Sequence, residues 1–171
     1  MAKVYLMTGT NRGEVEKLMQ EAARMIGEQV GEILRMSKVW YTEPWGFKQG
    51  NIFLNQALEV RTELTPEQVL DEVQKIELEL GRNRTEEAEI KRENGERYAS
   101  RTMDIDIILY EDMVVESDRL KIPHPLMQER EFVLGPMCEL VADMVHPVYG
   151  VTLAGLREKL AEKTEEAAGE R

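Results

Sequence analysis

An α+β sandwich, an antiparallel sheet with helices packed on it, is the fold class this sequence predicts. Three observations carry the prediction. Short segments alternate apolar and polar residues, as half-buried strands do. Other segments repeat apolar residues at three- and four-residue spacing, as amphipathic helices do. The two kinds follow one another as β-α-β-β-α-β with a helical extension at the C-terminus, the order of a ferredoxin-like sandwich.

Val4 to Thr8 reads as a short buried strand, ended by Gly9-Thr10-Asn11. Val15, Leu18, Met19, Ala22 and Ile26 then form one face of a helix. A second strand fits Arg35 to Thr42, and a breaker-rich loop over 43–50 carries Trp45 and Phe47. In Ile52 to Thr62, one face holds Ile52, Leu54, Leu58 and Val60, and the other Phe53, Asn55, Ala57, Glu59 and Arg61. The next helix has a clear start: Thr65 as N-cap, Pro66 at the first position and Gln68 completing a capping box. Val69, Leu70, Val73, Ile76 and Leu80 make its apolar face, and Gly81 is its expected C′ residue.

Arg82 to Ser100 has no period and much charge, which predicts a long mobile loop. Met103 to Tyr110 is a strand with Met103, Ile105, Ile107 and Leu109 toward the core, and a short ribbon follows around Val114-Val115. Glu129 to Ala142 reads as partly helical, His146-Pro147 with Gly150 as a turn, and Thr152 as the cap of a last helix ending near Lys163. One domain over 1–163 and a disordered tail over 164–171 complete this reading.

The 171 residues are one domain's worth. Lys and Arg total 22 against 33 Asp and Glu, a net charge of −11, which argues against non-specific nucleic-acid binding. No apolar run reaches 18 residues, so no membrane span is expected, and MAKVYLMTGTN has no signal-peptide pattern. Cys138 has no second cysteine to pair with, and one Cys with two His cannot build a zinc cluster. The expected compartment is the cytoplasm, and nothing in the chain demands more than a monomer.

The sharpest motif is Arg101-Thr102-Met103-Asp104-Ile105-Asp106. On a strand, Asp104 and Asp106 point the same way, roughly 7 Å apart along the chain. Two carboxylates so placed repel unless a cation offsets them, and Mg²⁺ suits an oxygen-only set that leaves room for water and phosphate. The same spacing also occurs in solvated edge strands. Arg82, Arg84, Lys91, Arg92, Arg97 and Arg101 crowd into 20 residues. Arginine's planar fork suits phosphate, although Glu86, Glu87, Glu89, Glu93 and Glu96 could instead pair with several of these bases in solvent. Carboxylates and converging arginines together read as Mg²⁺ and polyphosphate.

Phe53 and Asn55 share the strand face opposite Leu54 and Leu58, with Trp45, Phe47 and Phe132 elsewhere in the chain. Aromatics with one amide can sandwich and read a flat heterocycle; they can equally be a second core under covering helices. His124 stands between two prolines, able to meet phosphate or to serve structurally, and His146 reads as structural. No glycine-rich P-loop and no GxGxxG is present, so a nucleotide site must be of another kind.

Taken together, Gly9-Thr10-Asn11, Tyr41-Thr42-Glu43-Pro44-Trp45-Gly46, Phe53-Leu54-Asn55, Gln74-x-x-Glu77, Gly81-Arg82-Asn83-Arg84, Arg101 to Asp106 and Ile122-Pro123-His124-Pro125 resemble the 6-hydroxymethyl-7,8-dihydropterin pyrophosphokinase family. The resemblance spans roughly residues 4 to 150 and implies the ferredoxin-like fold already read. It implies transfer of the β,γ-pyrophosphoryl group of ATP to the pterin hydroxymethyl oxygen, with release of AMP, in folate biosynthesis. It implies two Mg²⁺ ions at Asp104 and Asp106, and Arg82 and Arg101 neutralising the transferred group. Gln74, Glu77, Arg84, Tyr98, Arg101, Arg119, His124 and Arg130 would contact ATP. Thr42, Pro44, Trp45, Phe53, Asn55 and Phe132 would bind the pterin. Ser100 and Pro125 stand where the family usually has a proline and often an aromatic. The 16 residues between Arg84 and Arg101 form a longer loop than usual, expected to close over ATP. Two other readings are another Mg²⁺-dependent nucleotidyl or phosphoryl transferase, which would not need a pterin, and a non-catalytic binding module, which would leave Asp104, Asp106, Arg82 and Arg101 unexplained.

Overall fold

A computed structural model of the chain describes residues 1–11, 15–42, 53–93 and 103–169, with backbone alone for residues 15, 82–93 and 167–169. The main sheet has the order β2-β4-β1-β5, with β3 also paired to β4, and every pairing is antiparallel. Its strands are β1 (Ala2–Thr10), β2 (Glu32–Met36), β3 (Trp40–Thr42), β4 (Phe53–Thr62) and β5 (Asp104–Tyr110). The helices α1 (Val15–Gln29) and α2 (Pro66–Glu93) cover one face, and α3 (Glu131–Val141) and α4 (Leu153–Gly169) the other. A ribbon of β6 (Val115–Glu116) and β7 (Lys121–Ile122) lies beside β5. This is the expected α+β ferredoxin-like sandwich, with its C-terminal helices as a third layer.

Alternation within the strands gives the sheet two cores. Val4, Leu6, Leu54, Leu58, Val60, Ile105 and Ile107 pack with Met19, Ala22, Ile26, Val69, Val73 and Ile76 of the first two helices. Tyr5, Met7, Ala57, Ile108 and Leu109 pack with Val133, Leu134, Met137, Leu140, Leu153 and Leu156 of the last two. The capping box forms as the sequence predicts: Gln68 N–H donates to Thr65 Oγ1 at 3.2 Å, and Thr65 N–H to Gln68 Oε1 at 2.9 Å.

Five expectations change. Gly81 does not end α2, which runs on to Glu93 through the first part of the expected loop; residues 94–100 lie outside those described. Arg82 to Glu93 holds four Glu and three Arg, which favour a helix by propensity without an apolar stripe. The strand over 35–42 is two strands, broken where Ser37 Oγ accepts the Ala57 N–H at 2.9 Å and Gln56 Nε2 donates to Ser37 O at 2.8 Å. Leu109 belongs to the second core, because the β1–β5 register slips one residue between Tyr5 and Leu6 and leaves Ile108 as a bulge. The last helix continues from Lys163 to Gly169. The strand β1 also extends through Gly9 to Thr10. Ile52 lies outside the described residues.

Candidate active site

The site grows from β5, an edge strand. Asp104 and Asp106 are exposed on the α3 side, while Ile105 and Ile107 are buried against α2. That apolar anchorage holds both carboxylates on a rigid mount. Glu77 of α2 reaches the open edge of β5, its Oε2 accepting the Ile105 N–H at 2.9 Å. Burial, reinforced by the charges of Asp104 and Asp106 and opposed by that hydrogen bond, pushes its pKa up to about 7. Further along the same edge, His124 N–H donates to Ile108 O at 3.0 Å.

A cavity of about 430 Å³ opens on the α3 side. Its floor comes from Met7 and Gly9 of β1, Thr42 of β3, Phe53 and Asn55 of β4, and Asp104 and Asp106 of β5. Its roof is Arg130, Phe132 and Val133, where α3 begins, with the Arg130 guanidinium 5.6 Å from the Phe132 ring centroid. Gly9 pairs with Asn55 on one side and with Asp104 on the other, so the three stand in a row across neighbouring strands. Strand spacing sets Asn55 about 10 Å from Asp104. Asn55 is only 7% exposed, and no group among the described residues hydrogen-bonds its carboxamide. A buried amide with no partner among the described residues, facing a cavity, is a group available to a ligand.

A second cavity of about 320 Å³ lies on the other side of Asp106, lined by Leu70, Ile105, Asp106, Ile107, Asp118, Arg119, Leu120, Lys121, His124 and Pro125. Arg119 is tied to Asp71 by a 2.7 Å ion pair, both groups half exposed. His124 Nδ1 accepts the Leu126 N–H at 3.2 Å, so in the neutral ring the proton is on Nε2. Burial holds its pKa below the usual range, helped by Arg130 and opposed by Asp106.

The structure thus brings Thr42, Phe53, Asn55, Asp104, Asp106, Arg130 and Phe132 to one cavity, and Asp106, Arg119 and His124 to the other. Arg130, expected beside the nucleotide, lines the cavity with Phe132. Glu77 touches β5, and Gln74 is exposed one turn earlier on α2. Arg82 and Arg84 fall on α2. Pro44, Trp45, Tyr98 and Arg101 lie outside the described residues. Motif reading missed Met7, Gly9 and Val133 in the first cavity, and Leu70, Leu120 and Lys121 in the second. Gly9 carried a signal that was read as a strand end. A Cβ there would come 2.9 Å from Asn55 Oδ1, so glycine is what lets β1 pass the amide.

The donor set fits a hard divalent cation. Asp104 and Asp106 offer only carboxylate oxygens, exposed at a cavity wall where water and phosphate oxygens can complete a shell. No cluster of three or more metal-ligating side chains occurs among the described residues. No helix among the described residues is long and apolar enough to cross a membrane.

Comparison with known proteins agrees with this geometry. The family model for 7,8-dihydro-6-hydroxymethylpterin-pyrophosphokinase matches residues 5–142. A 2-amino-4-hydroxy-6-hydroxymethyldihydropteridine pyrophosphokinase of Porphyromonas gingivalis is 40% identical over 148 residues, covering 86% of this chain and 95% of that protein. The enzyme of the same name from Aquifex aeolicus is 34% identical over 149 residues, covering 87% of this chain and 86% of its own. Among solved structures, an HPPK-DHPS in complex with substrates matches with a TM-score of 0.73 at 12% identity, over 96% of this chain. Wild-type Plasmodium falciparum HPPK-DHPS gives 0.73 at 15% identity, over 97% of this chain. The chain spans 44% and 46% of those longer chains, and the likeness speaks for the fold. Motif series, two-sided site and a family match covering most of the sequence converge: the chain belongs to the 7,8-dihydro-6-hydroxymethylpterin-pyrophosphokinase family.

Proposed function

We propose that this chain moves the β,γ-pyrophosphoryl group of ATP to the hydroxymethyl oxygen of 6-hydroxymethyl-7,8-dihydropterin, in folate biosynthesis, with the pterin in the first cavity and the nucleotide in the second. Members of its family are pyrophosphokinases that use ATP with a divalent metal. One observation carries the two-site reading: Asp106 lines both cavities, so ligands in them would meet at the carboxylates. The row from Asn55 through Gly9 to Asp104 gives the pterin its direction. Asn55, with Thr42 and with Pro44 and Trp45 beyond the described residues, reads the polar edge. Phe53 and Phe132 take the ring faces, and the hydroxymethyl arm points to the carboxylates.

Asp104 and Asp106 would hold two Mg²⁺ ions, which when bound supply positive charge beside the phosphates. The chemistry asks little covalent work of the protein. The hydroxymethyl oxygen bonds to the β-phosphorus in line and gives up its proton to solvent, the bond from that phosphorus to the oxygen bridging the α-phosphate breaks, and AMP leaves. Arg82 and Arg101 neutralise the transferred group. Gln74, Glu77, Arg84, Tyr98, Arg119 and His124 hold ATP, with the His124 Nε2–H available as a neutral donor, and Arg130, at the roof of the first cavity, meets the phosphates where the two cavities share Asp106. Positioning and charge stabilisation carry the rate, so no general base is assigned. A monomer suffices, since one chain builds both cavities, and the cytoplasm supplies the ATP.

The test is product identity. ATP, Mg²⁺ and hydroxymethyl-dihydropterin should yield AMP and the pterin diphosphate. ADP would signal γ-phosphoryl transfer and refute the assignment, and AMP release independent of pterin would favour another nucleotide-cleaving reaction.

A further inference from the structure

Trp40 of β3 pairs with Asn55, and its indole reaches α3. A Cβ built on Gly135 would stand 2.2 Å from Cη2, 2.6 Å from Cζ3 and 2.8 Å from Cζ2 of that ring, closer than real Cβ atoms come. Gly135 is therefore a notch filled by the outer ring of Trp40. The indole is gripped elsewhere too. Its Nε1–H donates to one oxygen of the Glu139 carboxylate, whose other oxygen accepts the Lys38 N–H at 3.1 Å. Lys38 Nζ and the Arg157 guanidinium each lie 5.6 Å from the ring centroid. Arg157 also bonds Glu131, next to Phe132, at 2.6 Å.

Gly135 follows Phe132 by three residues, so the two are neighbours on the surface of α3. Pro136 has no N–H to give the Phe132 carbonyl, so the turn bearing Phe132 lacks one of its own helical hydrogen bonds. What that turn rests on therefore decides where Phe132 stands above the sheet. The strand wall, with Thr42, Phe53 and Asn55, is fixed by β3–β4 pairing. We propose that the Trp40–Gly135 contact is a spacer that sets the gap between Phe53 and Phe132, and so the thickness of ring the slot admits. Neither residue lines the cavity; both are positioning residues. The proposal rests on the pterin occupying the first cavity.

Gly135→Ala is the probe. Alanine favours the helix more than glycine does, but its methyl group cannot share the notch with the indole. The pterin KM should rise about tenfold, while kcat and the KM for ATP stay within about twofold. Trp40→Phe removes the outer ring and should by itself raise the pterin KM about threefold. Adding Gly135→Ala to Trp40→Phe should refill the notch and bring the pterin KM to within about twofold of the parent. An unchanged pterin KM in folded Gly135→Ala, a fall in kcat with both KM values unmoved, or a double variant no better than the singles overturns the proposal. If Gly135→Ala does not fold, Trp40→Phe with an unmoved pterin KM overturns it equally. Calorimetric titration of Phe53→Ala with pterin separates the two layers. Unaltered binding there sinks the cavity assignment itself, whereas weakened binding there with normal binding in Gly135→Ala sinks the spacer alone.

Discussion

Replacing Asn55 by leucine should make the protein more stable and nearly blind to the pterin. Asn55 is 7% exposed, and its carboxamide has no hydrogen-bond partner among the described residues. A buried amide left unpaired costs about 1–3 kcal/mol. Leucine has a similar branched shape and removes that cost. Because the cavity wets one side, the lower half of the range applies, about 1–2 kcal/mol. For a chain of 171 residues each kcal/mol moves the melting midpoint about 2–4 °C, so a rise of roughly 2–8 °C is expected. On the ligand side, two hydrogen bonds are lost and the pterin's polar edge is desolvated against a methyl group, about 3 kcal/mol together, or roughly 150-fold in affinity. Scanning calorimetry of the ligand-free protein gives the first quantity, and titration with pterin the second. Titration with an ATP analogue should be unaffected. A lower midpoint with undiminished pterin affinity would refute the reasoning, because the amide would then be serving the fold.

Asp104→Ala and Asp106→Ala should each cut AMP release by about a thousandfold, the loss of charge stabilisation at a reacting group. Both side chains are exposed, so both variants should stay folded, and normal turnover in either contradicts the metal assignment. Arg35→Ala should destabilise the fold by about 2 kcal/mol, since it abandons a carboxylate that is nearly buried, discounted because Arg35 is half exposed. Glu59 there accepts Arg35 Nη2 at 3.0 Å and Tyr5 Oη at 2.8 Å, and urea unfolding with no shift would count against this accounting. The Arg35 hydrogen bond lowers the Glu59 pKa, so its stabilisation is present above the unfolded value and lost as pH falls through the folded one; the Arg35→Ala deficit should shrink in acid. Glu77 runs the other way. With its pKa raised from 4.5 to about 7, it burdens the metal-free fold increasingly as pH rises across that window. Glu77→Gln should flatten that part of the melting profile, and an unchanged slope would show that the carboxyl is ordinary.

Periodicity made most of the fold and half of the site legible. The alternation that put Phe53 and Asn55 opposite Leu54 and Leu58 holds, as does the co-facial pair Asp104 and Asp106. The aromatic alternative, a second core, is also present: Tyr5, Ala57 and Leu109 sit under α3 and α4, and the cavity is the unfilled end of that layer. The helix past Gly81 was illegible because Arg82–Glu93 has no apolar residues at helical spacing, so the only signal was propensity. Gly81 itself has no left-handed backbone, which among the described glycines belongs to Gly150, so the feature that marks a C′ glycine is absent. The second cavity escaped because Leu120 and Lys121 come from a ribbon whose packing against β5 follows from no spacing. The Gly135 notch is a contact between residues 95 apart in sequence, and neither residue type announces it.

The bulge at Ile108 has one more consequence. It works as a parity change within β5: even-numbered residues face α3 before it, and odd-numbered ones after it. The carboxylate end and the far end of the strand are thus written in different reading frames of the same pleat. Tyr110 faces the first core because of it, where its hydroxyl reaches Leu64 O at 2.6 Å. Removing one residue between Asp106 and Tyr110 would take up the bulge and leave both ends in phase, whereas adding one would force a choice between keeping the carboxylates in their cavity and keeping the strand's far end anchored. The stretch can lose its extra residue without losing phase, but it cannot gain another.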